Sequence, residues 1–188
     1  MATKSKESIM TKTETWSVMT RLIASLRNNG SWAGETHVQK AAYILKHLTG
    51  VPLDFEFILY KHGPFSFGLR DELAVARDSG AITVEPQLGY GAKLKASRIY
   101  SMPSAPDYQA EIDFIGRVLG DKDVANLERI GTALLFDLAF PTETTSFKLD
   151  KLRERKPHIS SELATNAMHE LEALKTQLQE SAAQFALA

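Results

Sequence analysis

The chain has 188 residues, 44% hydrophobic and 24% charged, and contains no cysteine. That length supports a core of its own, and the composition excludes wholesale disorder, a disulfide framework, thiolate metal sites and a cysteine nucleophile. Net charge is −1, yet residues 1–98 hold 13 Lys/Arg against 9 Asp/Glu, and residues 99–188 hold 9 against 14. A basic half before an acidic half reads either as attraction to a polyanion followed by protein contact, or as ordinary surface scatter. The first residues lack a signal-peptide apolar run, and no stretch approaches the roughly 20 apolar residues of a membrane helix, so a cytoplasmic location is expected.

Residues 1–11 read as a disordered tail. Thr11 and Glu14 have capping-box spacing, and Val18, Leu22, Ile23 and Leu26 then fall on one helical face, ended by Asn28-Asn29-Gly30. A second capping box, Thr36 with Gln39, predicts a helix carrying Val38, Ala41, Ala42, Leu45 and Leu48, stopped by Gly50 and Pro52. Residues 54–60 are aromatic and β-branched enough for a strand. Gly63-Pro64 is expected to end that ladder, with Ser66 as N-cap of a third helix burying Leu69, Leu73 and Ala76. Residues 81–85 and 93–100 then read as two strands around the turn-rich stretch 86–91.

That order is the order of a winged helix, in which the third helix reads a groove and the hairpin is the wing. Beyond Pro103 the pattern is helical only. One helix starts at Ser104-Ala105-Pro106-Asp107, with Tyr108, Ile112, Ile115 and Leu119 inward. A second has a broad face of Val124, Leu127, Ile130, Leu134, Leu135 and Leu138, and is expected to be buried on more than one side. A short one carries Phe147, Leu149 and Leu152. A last one carries Leu163, Ala167, Leu171, Leu174 and Leu178, a stripe that serves intramolecular packing or a homodimer seam. The expected fold is therefore mainly α (α+β): a winged-helix-like domain with a two-stranded wing over 12–100, and a C-terminal helical extension over 101–188 packing on it.

Val38-Gln39-Lys40-Ala41-Ala42-Tyr43, the stretch from Phe57 through Tyr60-Lys61-His62-Gly63-Pro64-Phe65-Ser66, then Leu69 to Leu73 and Gly80-x-Ile82 form a motif series. It resembles the YwgA-type bacterial proteins and is similar to the Panacea (SocA-like) antitoxin domains, with Ala41 where leucine is more usual. Lys156-Pro157-His158-Ile159-Ser160 resembles the helical tail of the YwgA-type relatives. The resemblance implies a winged-helix-like fold and non-enzymatic work, for the antitoxins the neutralisation of a toxin. It maps Gln39, Lys40, Tyr43, Tyr60, Gly63, Pro64 and Ser66, read either as fold determinants or as a partner-binding site.

The residues themselves show no catalytic constellation. His37, His47, His62, His158 and His169 make no HxxxH or HExxH pattern, and neither a nucleophile elbow nor a phosphate loop occurs, so no enzyme, metal or cofactor is expected. For DNA, Arg70, Ala74 and Arg77 share one face of the third helix, and Lys93, Lys95 and Arg98 make the wing basic. Asp71 and Asp78 beside the arginines give the competing reading of a salt-bridged surface. Lys148, Lys151 and Arg155 read as an anion site or as cations complementing a helix C-terminus. Tyr60, Phe65 and Phe67 read as a docking pocket or as core contacts.

Overall fold

The computed structural model of the chain describes residues 10–87, 90–97 and 107–185. Most of the expected tail, Arg98, the end of the second wing strand and the Ser104-Ala105-Pro106 helix start lie outside the described residues.

Helix α1 (Lys12–Asn28) opens on the expected box: Thr11 Oγ1 accepts from Glu14 N at 3.3 Å, and Thr11 N donates to Glu14 Oε2 at 2.7 Å. Helix α2 (Glu35–Ile44) differs from expectation. Its N-cap is Gly34, with no side-chain cap, because Gln39 is fully buried and uses its amide on Ser66 instead of Thr36. The helix widens into one π turn, Leu45–Thr49, and stops where Gly50 turns left-handed at φ 79°.

The strand expected over 54–60 is shorter, and Gly63-Pro64 continues its ladder rather than ending it. Strands β1 (Ile58–Tyr60) and β2 (Gly63–Phe65) pair antiparallel, with Leu59 opposite Pro64. In a two-stranded ladder both strands are edges, where proline's missing N–H is tolerated. Gly63, at φ 80°, supplies the left-handed residue after Lys61-His62. Ser66 then caps α3 (Phe67–Asp78), accepting from Leu69 N at 3.2 Å, and Leu69, Leu73 and Ala76 are buried.

Strands β3 (Ile82–Gln87) and β4 (Tyr90–Ala96) run into the stretch expected to be a turn. The register shifts between Glu85 and Gln87, so a bulge takes up Pro86. β1 does not join this pair; the described residues hold two separate two-stranded sheets.

Helices α4 (Gln109–Leu119), α5 (Val124–Ala139), α6 (Thr145–Arg155) and α7 (Ser161–Phe185) follow. α4 packs on α1, while α5 touches α2, β2, α6 and α7, the many-sided burial its broad apolar face predicts. Both halves of the chain thus feed one hydrophobic cluster, from Val18 to Leu174. Three residues expected inward are exposed instead: Val124 and Leu138, near the two ends of α5, and Leu163 in the first turn of α7. The described residues are mainly helical with short antiparallel pairs, and no helix among them is long and apolar enough to cross a membrane.

Candidate functional site

A three-residue ladder satisfies few of its own backbone groups, and buried carbonyls need donors. Around β1–β2 those donors are lysines from three elements. Lys40 of α2, 1% exposed, donates to Pro64 O at 2.7 Å. Lys156, at the end of α6 and 4% exposed, donates to Tyr60 O and Lys61 O, each at 2.6 Å. Lys46 donates to Phe55 O at 2.7 Å, just before the hairpin. Gln39 closes the other end, donating to Ser66 O at 2.9 Å and accepting from Ser66 N at 3.0 Å. Charged donors make short, strong bonds of this kind, each contributing about 1.5–3 kcal/mol.

Buried ammonium groups need an anion, and Glu128 of α5 provides it. Its Oε1 lies 3.5 Å from Lys156 Nζ and 3.4 Å from His158 Nε2, while Oε2 lies 3.6 Å from His62 Nδ1. Burial still pushes the Lys40 pKa down to about 8; Glu128 opposes that shift and Lys156 reinforces it. Close packing completes the seat. A Cβ on Gly63 would meet Glu128 Cγ at 3.1 Å, Glu128 O at 3.2 Å and Thr132 Oγ1 at 3.2 Å. A Cβ on Gly131 would meet Pro64 Cδ at 3.3 Å. Tyr43 is buried beside Phe57, their ring centres 5.1 Å apart, and burial raises its phenol pKa.

The other side of the hairpin faces solvent. Tyr60, Phe65 and Phe67 pack as three mutually tilted rings 5.1–5.7 Å apart, with Tyr60 52% and Phe67 43% exposed. Ile58, 48% exposed, lies on the same strand, and the Arg70 guanidinium sits 5.1 Å over the Phe67 ring. Aromatic and arginine side chains grouped like this are the composition of protein-binding hot spots.

The seven motif residues therefore converge. Gln39, Lys40, Tyr43, Gly63, Pro64 and Ser66 form the seat, and Tyr60 forms part of the surface it presents. The basic residues scatter. Arg70 joins the aromatic patch and pairs with its neighbour Asp71 at 2.8 Å, both side chains being exposed. Arg77 lines a groove beside β4, Lys93 stacks on Trp32 at 3.9 Å, and Lys95 lies 3.7 Å from Glu85. Lys148 is bound to Asp137 at 2.6 Å, and Lys151 to Glu154 at 2.8 Å. Among the described residues no three His, Asp or Glu side chains are placed to hold a metal ion.

Sequence reasoning missed Glu128 and the role of Lys156. The only signal was the Lys-Pro-His stretch itself, and nothing in its spacing points 95 residues back to Lys61. No protein-family model matches the chain, and no curated protein matches it.

Proposed function

We propose that this chain is a non-catalytic regulatory protein of the antitoxin type, acting in the cytoplasm by protein–protein contact through the β1–β2 hairpin. The observation that carries the reading is the exposed Tyr60–Phe65–Phe67 cluster on a backbone fixed by buried Lys40, Lys156 and Gln39. An apolar surface held rigid before binding loses little entropy when a partner docks, which favours affinity. The motif series resembling the Panacea and YwgA-type families covers this seat, and agrees with a toxin or defence effector as partner. A winged-helix-like arrangement of α1 to β4 and a homodimer through α7 belong to the same proposal.

Co-expression with the protein encoded beside it tests the reading. The chain should restore growth and co-purify with that protein, and a Tyr60→Ala/Phe67→Ala pair with unchanged circular dichroism should do neither. Loss of neither property in that double variant overturns the assignment of the site.

A second reading, a winged-helix DNA-binding regulator, rests on Arg77, which makes no ion pair among the described residues, and on Lys93 and Lys95 along one side of β4. Salt-titrated binding to its own upstream DNA, unchanged by Arg77→Ala/Lys93→Ala, removes it.

A further inference from the structure

The outer edge of β1 presents main-chain hydrogen-bonding groups. Leu59 stands opposite Pro64. Proline has no N–H, so this pair cannot exchange the two bonds of a hydrogen-bonded pair, and the main-chain groups of both residues point away from the ladder. On the β2 side Pro64 O is taken by Lys40 Nζ at 2.7 Å. On the β1 side Leu59 N–H and C=O have no hydrogen-bond partner among the described residues, and β2 is the only described element packed closely along β1. Ile58 and Tyr60, to either side, are 48% and 52% exposed. An open edge of this kind pairs with another extended backbone.

The two faces of β1 define which side chains such a strand would carry. Side chains alternate along a strand, and directly opposed residues lie on the same face. Leu59 lines a pocket of about 340 Å³ with Leu135, Phe136 and Phe140 of α5, so a residue opposite Leu59 drops a large apolar side chain there. Its two neighbours fall on the other face, beside Ile58 and Tyr60 and continuous with the Phe65 and Phe67 rings. α6 contributes Lys151, Glu154 and Arg155 to the pocket. Lys151 is paired with Glu154 at 2.8 Å, while exposed Arg155, like exposed Lys61 just after β1, makes no ion pair among the described residues. Unpaired cations beside an apolar pocket favour acidic residues next to the apolar one.

We propose that β1 takes up an extended segment of the protein partner as an added antiparallel strand. That segment carries a leucine or phenylalanine opposite Leu59, apolar residues on either side of it and acidic residues before them. The proposal rests on the reading of this hairpin as the partner-binding site, and specifies the form of partner it takes.

Fluorescence anisotropy of a labelled peptide of order Asp-Glu-Val-Leu-Val-Thr reads the edge directly. It should bind saturably, and methylating the leucine amide nitrogen, which removes the donor to Leu59 O, should weaken it about tenfold or more. Ala139→Trp fills the pocket and should abolish binding. Arg155→Glu should weaken this peptide and favour one with Lys-Lys in place of Asp-Glu. Ala139 and Arg155 are exposed, so both variants should keep the circular dichroism of the parent. No saturation by about 1 mM peptide, equal binding of the methylated peptide, or an unchanged Ala139→Trp overturns the proposal. Co-expression with the neighbouring protein separates it from the reading it rests on. A complex lost in Tyr60→Ala/Phe67→Ala but intact in Ala139→Trp keeps the hairpin face as the site and overturns strand addition. A complex intact in both variants overturns both. Self-association in sedimentation that Ala139→Trp abolishes, without peptide binding, assigns the edge to a second copy and likewise overturns the proposal.

Discussion

The two hairpins of this protein are held in opposite ways. β3–β4 rests mainly on its own longer ladder, Ile82 opposite Ala96 through Gln87 opposite Tyr90, with one charged donor added from α1, Arg27 to Leu94 O at 3.1 Å, and the half-exposed Arg27–Glu85–Lys95 ion pairs beside it. β1–β2 has three paired positions and depends on its surroundings: Lys40 and Lys156 bond its carbonyls, and Glu128 balances their charge. A ladder is set by local pairing and tolerates surface change. A seat assembled from α2, α5 and the end of α6 is as sensitive as a core. It also fixes its tip, which suits a surface that must meet a partner in one geometry.

Single substitutions separate the two. Gly63→Ala combines a left-handed backbone with contacts at 3.1–3.2 Å and should destabilise by about 3–4 kcal/mol in chemical denaturation. Lys156→Met leaves Tyr60 O, Lys61 O and Glu128 without their shared cation and should remove about 2–3 kcal/mol. In the other hairpin a Cβ on Gly91 would meet nothing within 4 Å, and Glu85 pairs at a wet surface. Gly91→Ala and Glu85→Ala should each change stability by less than about 1 kcal/mol. Equal losses in both hairpins would erase the distinction.

The pH dependence sharpens the same contrast. His37, beside the β4 groove, protonates near 4 when folded and near 6.5 when unfolded. The unfolded chain therefore takes up the proton first as pH falls from 6.5 towards 4, and stability drops by about 2–3 kcal/mol, a loss His37→Asn should reduce. Lys40, under β2, loses its proton near 8 when folded and near 10.5 when unfolded. The folded chain is the first to deprotonate, so stability should climb by about 1–2 kcal/mol between pH 8 and 10. Above pH 10 Tyr43 reverses the trend, because the unfolded phenol ionises while the buried one resists. Lys40→Met should abolish the alkaline rise.

Periodicity and caps made the helices legible: the Thr11 box, the Ser66 cap and the inward faces of α1, α3 and α4 follow from local rules. The failures share one cause. Gln39 abandons Thr36 for Ser66, Pro64 joins a ladder, and Lys156 crosses to Tyr60. Each is a choice between a local partner and one reached only after folding. The motif residues were readable as a group in the sequence, but whether they formed a seat or a surface was not. Lysines at 1% and 4% exposure run against the general tendency of lysine to point outward, so nothing in their local sequence marks them as buried.

Amide hydrogen exchange in Lys156→Met tests the central claim most directly. If the lysines hold the hairpin, protection from Ile58 to Leu69 falls by an order of magnitude or more, while β3–β4 protection is unchanged. Unaltered exchange around Gly63 would show that the hairpin stands without its cations, and would contradict the account.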